Sequence, residues 1–490
     1  MKKIIKNTKF FVVFFLIQLL ILSNMISFAA ENDLKDKDIK SALEIELTTD
    51  EGVASHLIDV NITDGIVTLS GSVDSILSKE RAVKVARSIK GIRSVVDRIE
   101  VKPVEQSDNQ IRKNVEDALF NDPATDSYEI KVKVNDGMVT LSGNVDSYAE
   151  KDLCEQVAKG VKGIKEIDNN IYVDYELERP DYEIKEDVEK LLESDIRVDD
   201  GLVEVEVVDG KVNLSGTVGS SEEKNQAKSN AWVSGVNSVD ASQLNIEWWA
   251  RDEMIRQDLY ADLSDEKVEQ AVKDSFVYDP RVWSFNIDVD ASNGSVTLMG
   301  TVDNLKAKKA AEKNAENTLG VWRVKNRLKV RPEDEWKDSE IAENVRESLL
   351  MDPYIDRYDL TVLSYNGKIH MYGVVDTFFE KNRAEDIASR TKGVVDVQNS
   401  IQVDFVTDWR TQTWKQDWEI VEDINSEMFW SPFVDSDDIN VAVDDGVATL
   451  TGTVATWSER QSATENALEG GAFRVINKLK VDKGSGYWPF

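Results

Sequence analysis

An Asp-Gly or Asn-Gly pair recurs six times along this chain of 490 residues. The pairs are Asp64-Gly65, Asp136-Gly137, Asp209-Gly210, Asn293-Gly294, Asn366-Gly367 and Asp445-Gly446. Six residues after each glycine stands a second one, at Gly71, Gly143, Gly216, Gly300, Gly373 and Gly452. The intervals between turns are 72, 73, 84, 73 and 79 residues. A fixed period of this size means one small supersecondary unit repeated in tandem, and a unit so small gains stability from its neighbours.

Around each pair the residues alternate between apolar and polar. In the first unit Val60-Asn61-Ile62-Thr63 leads in, and Ile66 to Val73 leads out, with Val67, Leu69 and Val73 on one face. Two such runs joined by Asp-Gly or Asn-Gly predict a hairpin with a type I′ turn, which needs positive φ at both turn positions. The second glycine falls on the inward face, where a missing side chain allows another backbone close approach. A helix is predicted next. Its inward positions are Ala82, Cys154, Ala227, Ala311, Ala384 and Ala463, each followed four residues later by alanine. Gly91, Gly163, Gly235, Gly320, Gly393 and Gly470 or Gly471 are expected as left-handed caps of that helix. A closing strand carries the pairs Ile99/Val101, Ile171/Val173, Leu244/Ile246, Leu328/Val330, Ile401/Val403 and Leu479/Val481. A further helix precedes each hairpin, interrupted at Asp122-Pro123, Asp279-Pro280, Asp352-Pro353 and Ser431-Pro432, because a residue before proline avoids the helical region.

The expected fold is therefore α+β: six αββαβ modules, each a three-stranded mixed sheet with two helices on one face. The modules are placed at 31–104, 105–176, 177–248, 265–332, 333–405 and 406–484, with a helical connector at 249–264 and a tail at 485–490. Gly65 to Val73, the Ala82/Ala86 helix, Gly91 and the closing strand together resemble the BON domain, and 137–145 and 446–454 carry the same signature. The resemblance extends to all six units. It implies a bacterial envelope protein of a kind induced by osmotic or envelope stress, some members of which bind phospholipid.

The first 30 residues stand outside the repeats. Lys2, Lys3, Lys6 and Lys9 precede an apolar run from Phe10 to Leu22, and Ser27 to Ala30 offers small residues for cleavage. This is the layout of a secretory signal peptide, with an uncleaved anchor as the other reading. The formal charge is −33, and loss of the four leader lysines would make it −33 − 4 = −37. Such a chain repels nucleic acid. One cysteine, Cys154, excludes an intramolecular disulfide.

Little in the chain suggests chemistry. The two histidines, His56 and His370, stand far from other ligand candidates, and His370 is expected to face solvent. The acidic run Asp288 to Gly294 lacks the glycine and glutamate spacing of an EF-hand and alternates like a strand. No catalytic residue, metal, cofactor, nucleic acid or small-molecule substrate is expected. Two features remain. Residues 79–102 hold eight basic against three acidic side chains, and residues 306–331 hold nine against two. Lys84, Arg87, Lys90, Arg93, Lys308, Lys309, Arg323 and Lys325 are the candidates for binding anionic phospholipid or an envelope partner, for docking on acidic helices of neighbouring modules, or for solvation alone. All twelve tryptophans lie at or beyond Trp232, several near module boundaries (Trp248, Trp249, Trp336, Trp409, Trp414, Trp418). They suit packing between modules or a half-wet binding belt. The expected function is an exported, non-catalytic envelope protein acting through weak multivalent contacts with phospholipid surfaces. A periplasmic holdase or protein scaffold, and a secreted spacer, are the alternatives.

Overall fold

The computed structural model describes residues 34–53, 55–125, 130–175, 179–247, 249–252, 263–282, 286–356, 358–403, 416–431, 433–436, 438–454, 456–472 and 474–481. The proposed leader at 1–30 lies outside them. Each module opens with a helix: Asp36–Thr49, Asp108–Asn121, Asp181–Ser194, Asp265–Val277, Asp338–Met351 and Asp417–Trp430. A hairpin follows, then a second helix (Ile76–Arg87, Tyr148–Lys159, Ser221–Asn230, Leu305–Glu316, Phe378–Ser389, Trp457–Glu469) and a closing strand. The hairpin strands run antiparallel, and the closing strand pairs parallel with the second of them, giving a three-stranded mixed sheet in every module. The helices cover one face, and each module keeps a hydrophobic cluster of its own.

The turns are as the sequence demands. Asp64 has φ 52° and Gly65 φ 73°, and the other five pairs follow suit, which defines the type I′ hairpin. The first helix holds this turn from a distance. The Asp36 carboxylate accepts from Asp64 N (2.8 Å) and Gly65 N (3.0 Å). Asp108, Asp181, Asp338 and Asp417 repeat the arrangement. These backbone donors hold the Asp108 and Asp338 carboxyls below their ordinary range. The second glycine is required twice over. Gly71 has φ 117°, and a Cβ there would sit 2.0 Å from the carbonyl oxygen of Leu57, the residue just before the entering strand.

Two expectations need correction. Proline is not the common reason the first helix stops. In every module an Asp or Ser at the end of that helix accepts the N–H two residues on, as Asp50 Oδ1 does from Gly52 N. Asp122, Asp195, Asp279, Asp352 and Ser431 do the same, and Asp50 and Asp195 have no proline after them. This Asx-type turn offers the backbone an alternative to another helical turn. Nor does Gly91 cap the second helix. That helix ends at Arg87, with Ser88 as its cap, and Gly91 (φ 90°) occupies the third place of a separate turn closed by Ile92 N to Ile89 O at 3.2 Å. Gly235, Gly320 and Gly393 hold the same place in the turns closed by Val236, Val321 and Val394. In module six the expectation holds: Gly471 (φ 101°) directly follows the Glu469 end and Gly470 cap, with Gly471 N to Leu468 O at 3.0 Å and Ala472 N to Ala467 O at 3.1 Å.

That turn links the modules. Its second residue points an unused N–H at another module's first helix, whose last carbonyls have no partner within the helix. Lys90 N donates to Trp430 O (3.1 Å), Lys162 N to Met351 O (2.8 Å), Leu319 N to Ser194 O (2.7 Å) and Lys392 N to Asn121 O (3.0 Å). Module one thus docks on six, two on five, and four on three. The two–five contact is reciprocal. Adding three to each module number converts one–six into four–three and leaves two–five unchanged, which is the signature of a two-fold relation between modules 1–3 and modules 4–6. Other contacts obey the same rule. Ile76 of module one enters the core of module two, and Leu305 of module four enters the core of module five. Arg93 of module one reaches Glu247 of module three, and Trp457 of module six reaches Glu316 of module four. The array is folded back on itself.

One cross-array contact is ionic and buried. Lys306 of module four meets the Asp122 carboxylate of module two at 2.6 Å, both largely out of solvent. Burial lowers the Lys306 ammonium from its usual range, and Asp122 works against that fall. Removing one partner leaves a charge buried alone, so Lys306→Ala should cost about 3 kcal/mol in denaturant unfolding, with Asp122→Asn in the same chain restoring part of it. Gly300→Ala should destabilise by a similar ~3 kcal/mol, because φ is 120° and a Cβ would lie 2.1 Å from the Asn286 oxygen. Gly160→Ala, at φ −69°, should stay within about 0.5 kcal/mol in the same assay.

Candidate functional site

The eight basic candidates fall in two equivalent places, since modules one and four correspond under the two-fold relation. In module one, Lys84 is exposed and Arg87 half-buried on the second helix. The other two are used within the array. Lys90 carries the N–H that docks on Trp430, and its ammonium lies 5.3 Å from the centre of the Phe429 ring. Arg93 reaches Glu247 at 3.8 Å. On the closing strand Lys102 pairs with Glu100 at 3.0 Å, and Lys79 crosses to Asp97 at 3.2 Å, so this patch is partly neutralised from within.

Module four differs. Lys309 turns toward Glu385 of module five at 3.5 Å, and the Lys308 carbonyl accepts from the Asn326 amide. Arg323 and Lys325 stand on the closing strand Arg323–Asn326, which borders the sheet. Val324, Leu328 and Val330 turn into the core of the module, so the alternate residues Arg323, Lys325, Arg327, Lys329 and Arg331 face outward. Among the described residues no ion pair engages any of these five. The neighbouring strand presents Ser295, Thr297, Met299 and Thr301 on the same face, and Asp288 and Asp290 stand one strand further away. Arg327, Lys329 and Arg331 extend the sequence-derived set. Their alternation through 323–331 was the signal, visible once the strand was phased by its apolar residues.

The aromatic residues divide. Trp232 of module three stacks on Tyr148 of module two, with ring centroids 3.6 Å apart and planes 4° from parallel. Trp430 packs on the core of module one, and Trp457 donates to Glu316 of module four at 3.3 Å. These three serve packing between modules. Of the boundary tryptophans, Trp336 packs against the core of its own module, Trp249 and Trp418 are exposed, and Trp248, Trp409 and Trp414 lie outside the described residues. The apolar exposure that sequence reading missed is on module five, whose outer sheet face carries Leu363, Tyr365, Tyr372 and Val374. The same face elsewhere is mostly polar, as with Asp59, Asn61 and Thr63 in module one.

The remaining sequence candidates have the following places. Cys154 is buried in the core of module two, in an alanine's place. His370 stands on the outward face of the second strand of module five, opposite Leu363, and is half-buried like Thr68, Thr140, Asn213, Thr297 and Thr449 at the same place on the middle strand of the other modules. Asp288 and Asp290 project outward from a strand whose alternate residues are buried, as the alternation required. Among the described residues the one group of carboxylates close enough to share a ligand is Glu46, Glu427 and Glu469, whose oxygens lie within 4.8 Å of one another. It sits where the first and last modules meet, beside a cleft of about 370 Å3. No helix among the described residues is long and apolar enough to cross a membrane.

Comparison with known proteins agrees with this architecture. The model of the BON domain matches residues 35–103, 107–175, 180–247, 264–332, 337–404 and 416–483. Osmotically-inducible protein Y of Escherichia coli (strain K12) is 33% identical over 147 residues, 29% of this chain and 73% of that protein. Outer membrane lipoprotein DolP of Haemophilus influenzae is 31% identical over 137 residues, 27% of this chain and 70% of that protein. Among solved structures, the C-terminal domain of CdsD, the structural protein of the Type III secretion system of Chlamydia trachomatis, aligns at 17% identity with a TM-score of 0.13, covering 47% of this chain and all of that one. Six matched segments that coincide with six folded modules settle the family: the chain belongs to the BON domain proteins, as a tandem array of six.

Proposed function

We propose that this protein is an exported, non-catalytic component of the bacterial cell envelope that supports the envelope under osmotic or related stress. The names of its relatives, one osmotically inducible and one an outer membrane lipoprotein, support the setting. The observation that carries the mode of action is the outward row Arg323, Lys325, Arg327, Lys329 and Arg331 on the border strand of module four. Five cations at alternate positions, held in no ion pair among the described residues of a chain of net charge −33, form a surface complementary to anionic phospholipid head groups. Each such cation contributes about 1 kcal/mol near an anionic surface. Module one adds Lys84 and Arg87, so contact is multivalent and individually weak.

A second reading has its own observation. The outer sheet face of module five, with Leu363, Tyr365, Tyr372 and Val374, is apolar enough to hold a protein segment. It supports a periplasmic holdase or scaffold role. Flotation with phosphatidylglycerol vesicles separates the two. The mature chain should float at low salt and release as salt rises, because screening shortens the reach of the patch. Reversal of three charges in Arg323→Glu, Lys325→Glu and Lys329→Glu should cut the bound fraction about tenfold or more. If the unmodified chain does not float, the lipid reading is lost. Suppression of a model client's aggregation, weakened by Tyr365→Ser with Tyr372→Ser, would then favour the second.

A further inference from the structure

The three module contacts share one docking bond but differ in chemistry where the first helices meet. Counting back eighteen residues from the turn residue of each module gives that place: 64 − 18 = 46, 136 − 18 = 118, 209 − 18 = 191, 293 − 18 = 275, 366 − 18 = 348 and 445 − 18 = 427. Modules two and five hold Ala118 and Ser348 there, and modules three and four hold Leu191 and Ser275. Modules one and six hold Glu46 and Glu427. Two neutral pairs thus stand beside one pair of acids, in structurally equivalent interfaces within a single molecule.

The two glutamates are half-buried, and a carboxylate oxygen of each lies within 4.8 Å of the other and of one from the exposed Glu469. Carboxylates crowded into one partly buried site favour a proton held between them over full ionisation. We propose that the contact between the first and last modules is a proton-operated clasp, closed while Glu46 and Glu427 share a proton and opened when both ionise, with the other two contacts staying shut.

The surroundings favour this behaviour. Asp38 of the same helix lines the adjoining cleft, Asp50 ends that helix, and Glu465 and Glu469 face the pair from module six. Two cations face it. Arg81 is committed to Asp50 at 2.5 Å, and Lys90 lies over the Phe429 ring. Burial first, and the nearby Glu427 carboxyl after it, raise the Glu46 carboxyl to about 9. The sign follows from linkage. A carboxyl raised from 4.5 in the open state favours closure in full below that value, and the contribution is lost as pH rises through about 9. Opening also releases the Lys90 N–H from Trp430 O, leaving Lys162 N and Leu319 N in place.

Amide hydrogen exchange on the full chain reads this directly, once corrected for intrinsic rate and in the presence of a metal chelator. Between pH 6 and pH 9.5 or so, the Lys90 amide should lose protection at least tenfold, while Lys162 and Leu319 keep theirs. Small-angle scattering should show a larger maximum dimension at the higher pH with unchanged circular dichroism. The double variant Glu46→Gln with Glu427→Gln should hold Lys90 protected and the envelope compact throughout. Equal loss at all three amides, no loss at Lys90, or the same opening in the double variant would each overturn the clasp. A calcium-dependent closure at high pH that the chelator abolishes would overturn it too, in favour of a cation site.

Discussion

A helix that ends inside an assembly must find partners for its last carbonyls, and this array finds them in another module. Lys90, Lys162, Leu319 and Lys392 donate their backbone N–H groups to Trp430, Met351, Ser194 and Asn121. Every donor is the residue before the glycine of the same turn, and every acceptor is the last residue of a first helix. The contact is specified by backbone geometry: an Asx-type turn ends the helix cleanly, and a glycine with positive φ turns the donor outward. Side chains then decide how strong each copy is. A backbone-to-backbone bond of this kind is worth about 1 kcal/mol net, but leaving its groups buried and unmade costs more, so each contact is a switch between docked and undocked more than a graded attraction.

The two-fold relation follows from where that contact is omitted. From the second glycine to the glycine of the docking turn the distances are 91 − 71 = 20, 163 − 143 = 20, 235 − 216 = 19, 320 − 300 = 20, 393 − 373 = 20 and 471 − 452 = 19. Modules three and six have lost one residue in the segment that would present the donor. In the docking bond they act as acceptors and modules one and four as donors, with Ile196 N of module three also donating to Asn317 O of module four at 3.0 Å, so two blocks of three modules close on each other. A closed isologous arrangement satisfies all its docking surfaces and does not propagate into filaments. The longest interval between turns, 84 residues, falls between the two blocks, where the chain must cross from one to the other.

Within a module almost everything was legible in the sequence. The Asp/Asn-Gly pair dictated the hairpin, apolar alternation set the register, and Ala82/Ala86 marked the packed face of the second helix. The errors were of attribution. Proline drew the eye at the end of the first helix, although Asp50 and Asp195 end theirs without it, and the glycine read as a cap of the second helix has that role as Gly471 in module six but lies in a separate turn at Gly91, Gly235, Gly320 and Gly393. Between modules the sequence was nearly silent. Lys306 and Asp122 are 184 residues apart, and nothing local to either announces the other. The 20, 20, 19 rhythm was present but means something only once the turn is known to dock. The basic patches were legible as charge, not as fate: Lys90, Arg93 and Lys309 proved to be engaged within the array, and the row at 323–331 did not.

The choice of a neutral bond as the common docking element has a consequence for a chain of net charge −33. Bringing six acidic modules together raises their mutual repulsion, and that repulsion varies with ionic strength because salt screens charges beyond roughly 8–10 Å. Contacts built from surface ion pairs would weaken as salt rises, while the repulsion they oppose weakened too. A buried N–H to carbonyl bond, an aromatic stack such as Tyr148 on Trp232 and a buried pair such as Lys306 with Asp122 are all screened far less. Rising salt therefore removes repulsion while loosening only the more exposed pairs between modules, such as Arg93 with Glu247 and Lys309 with Glu385. Compactness and ionic strength thus move in the same direction.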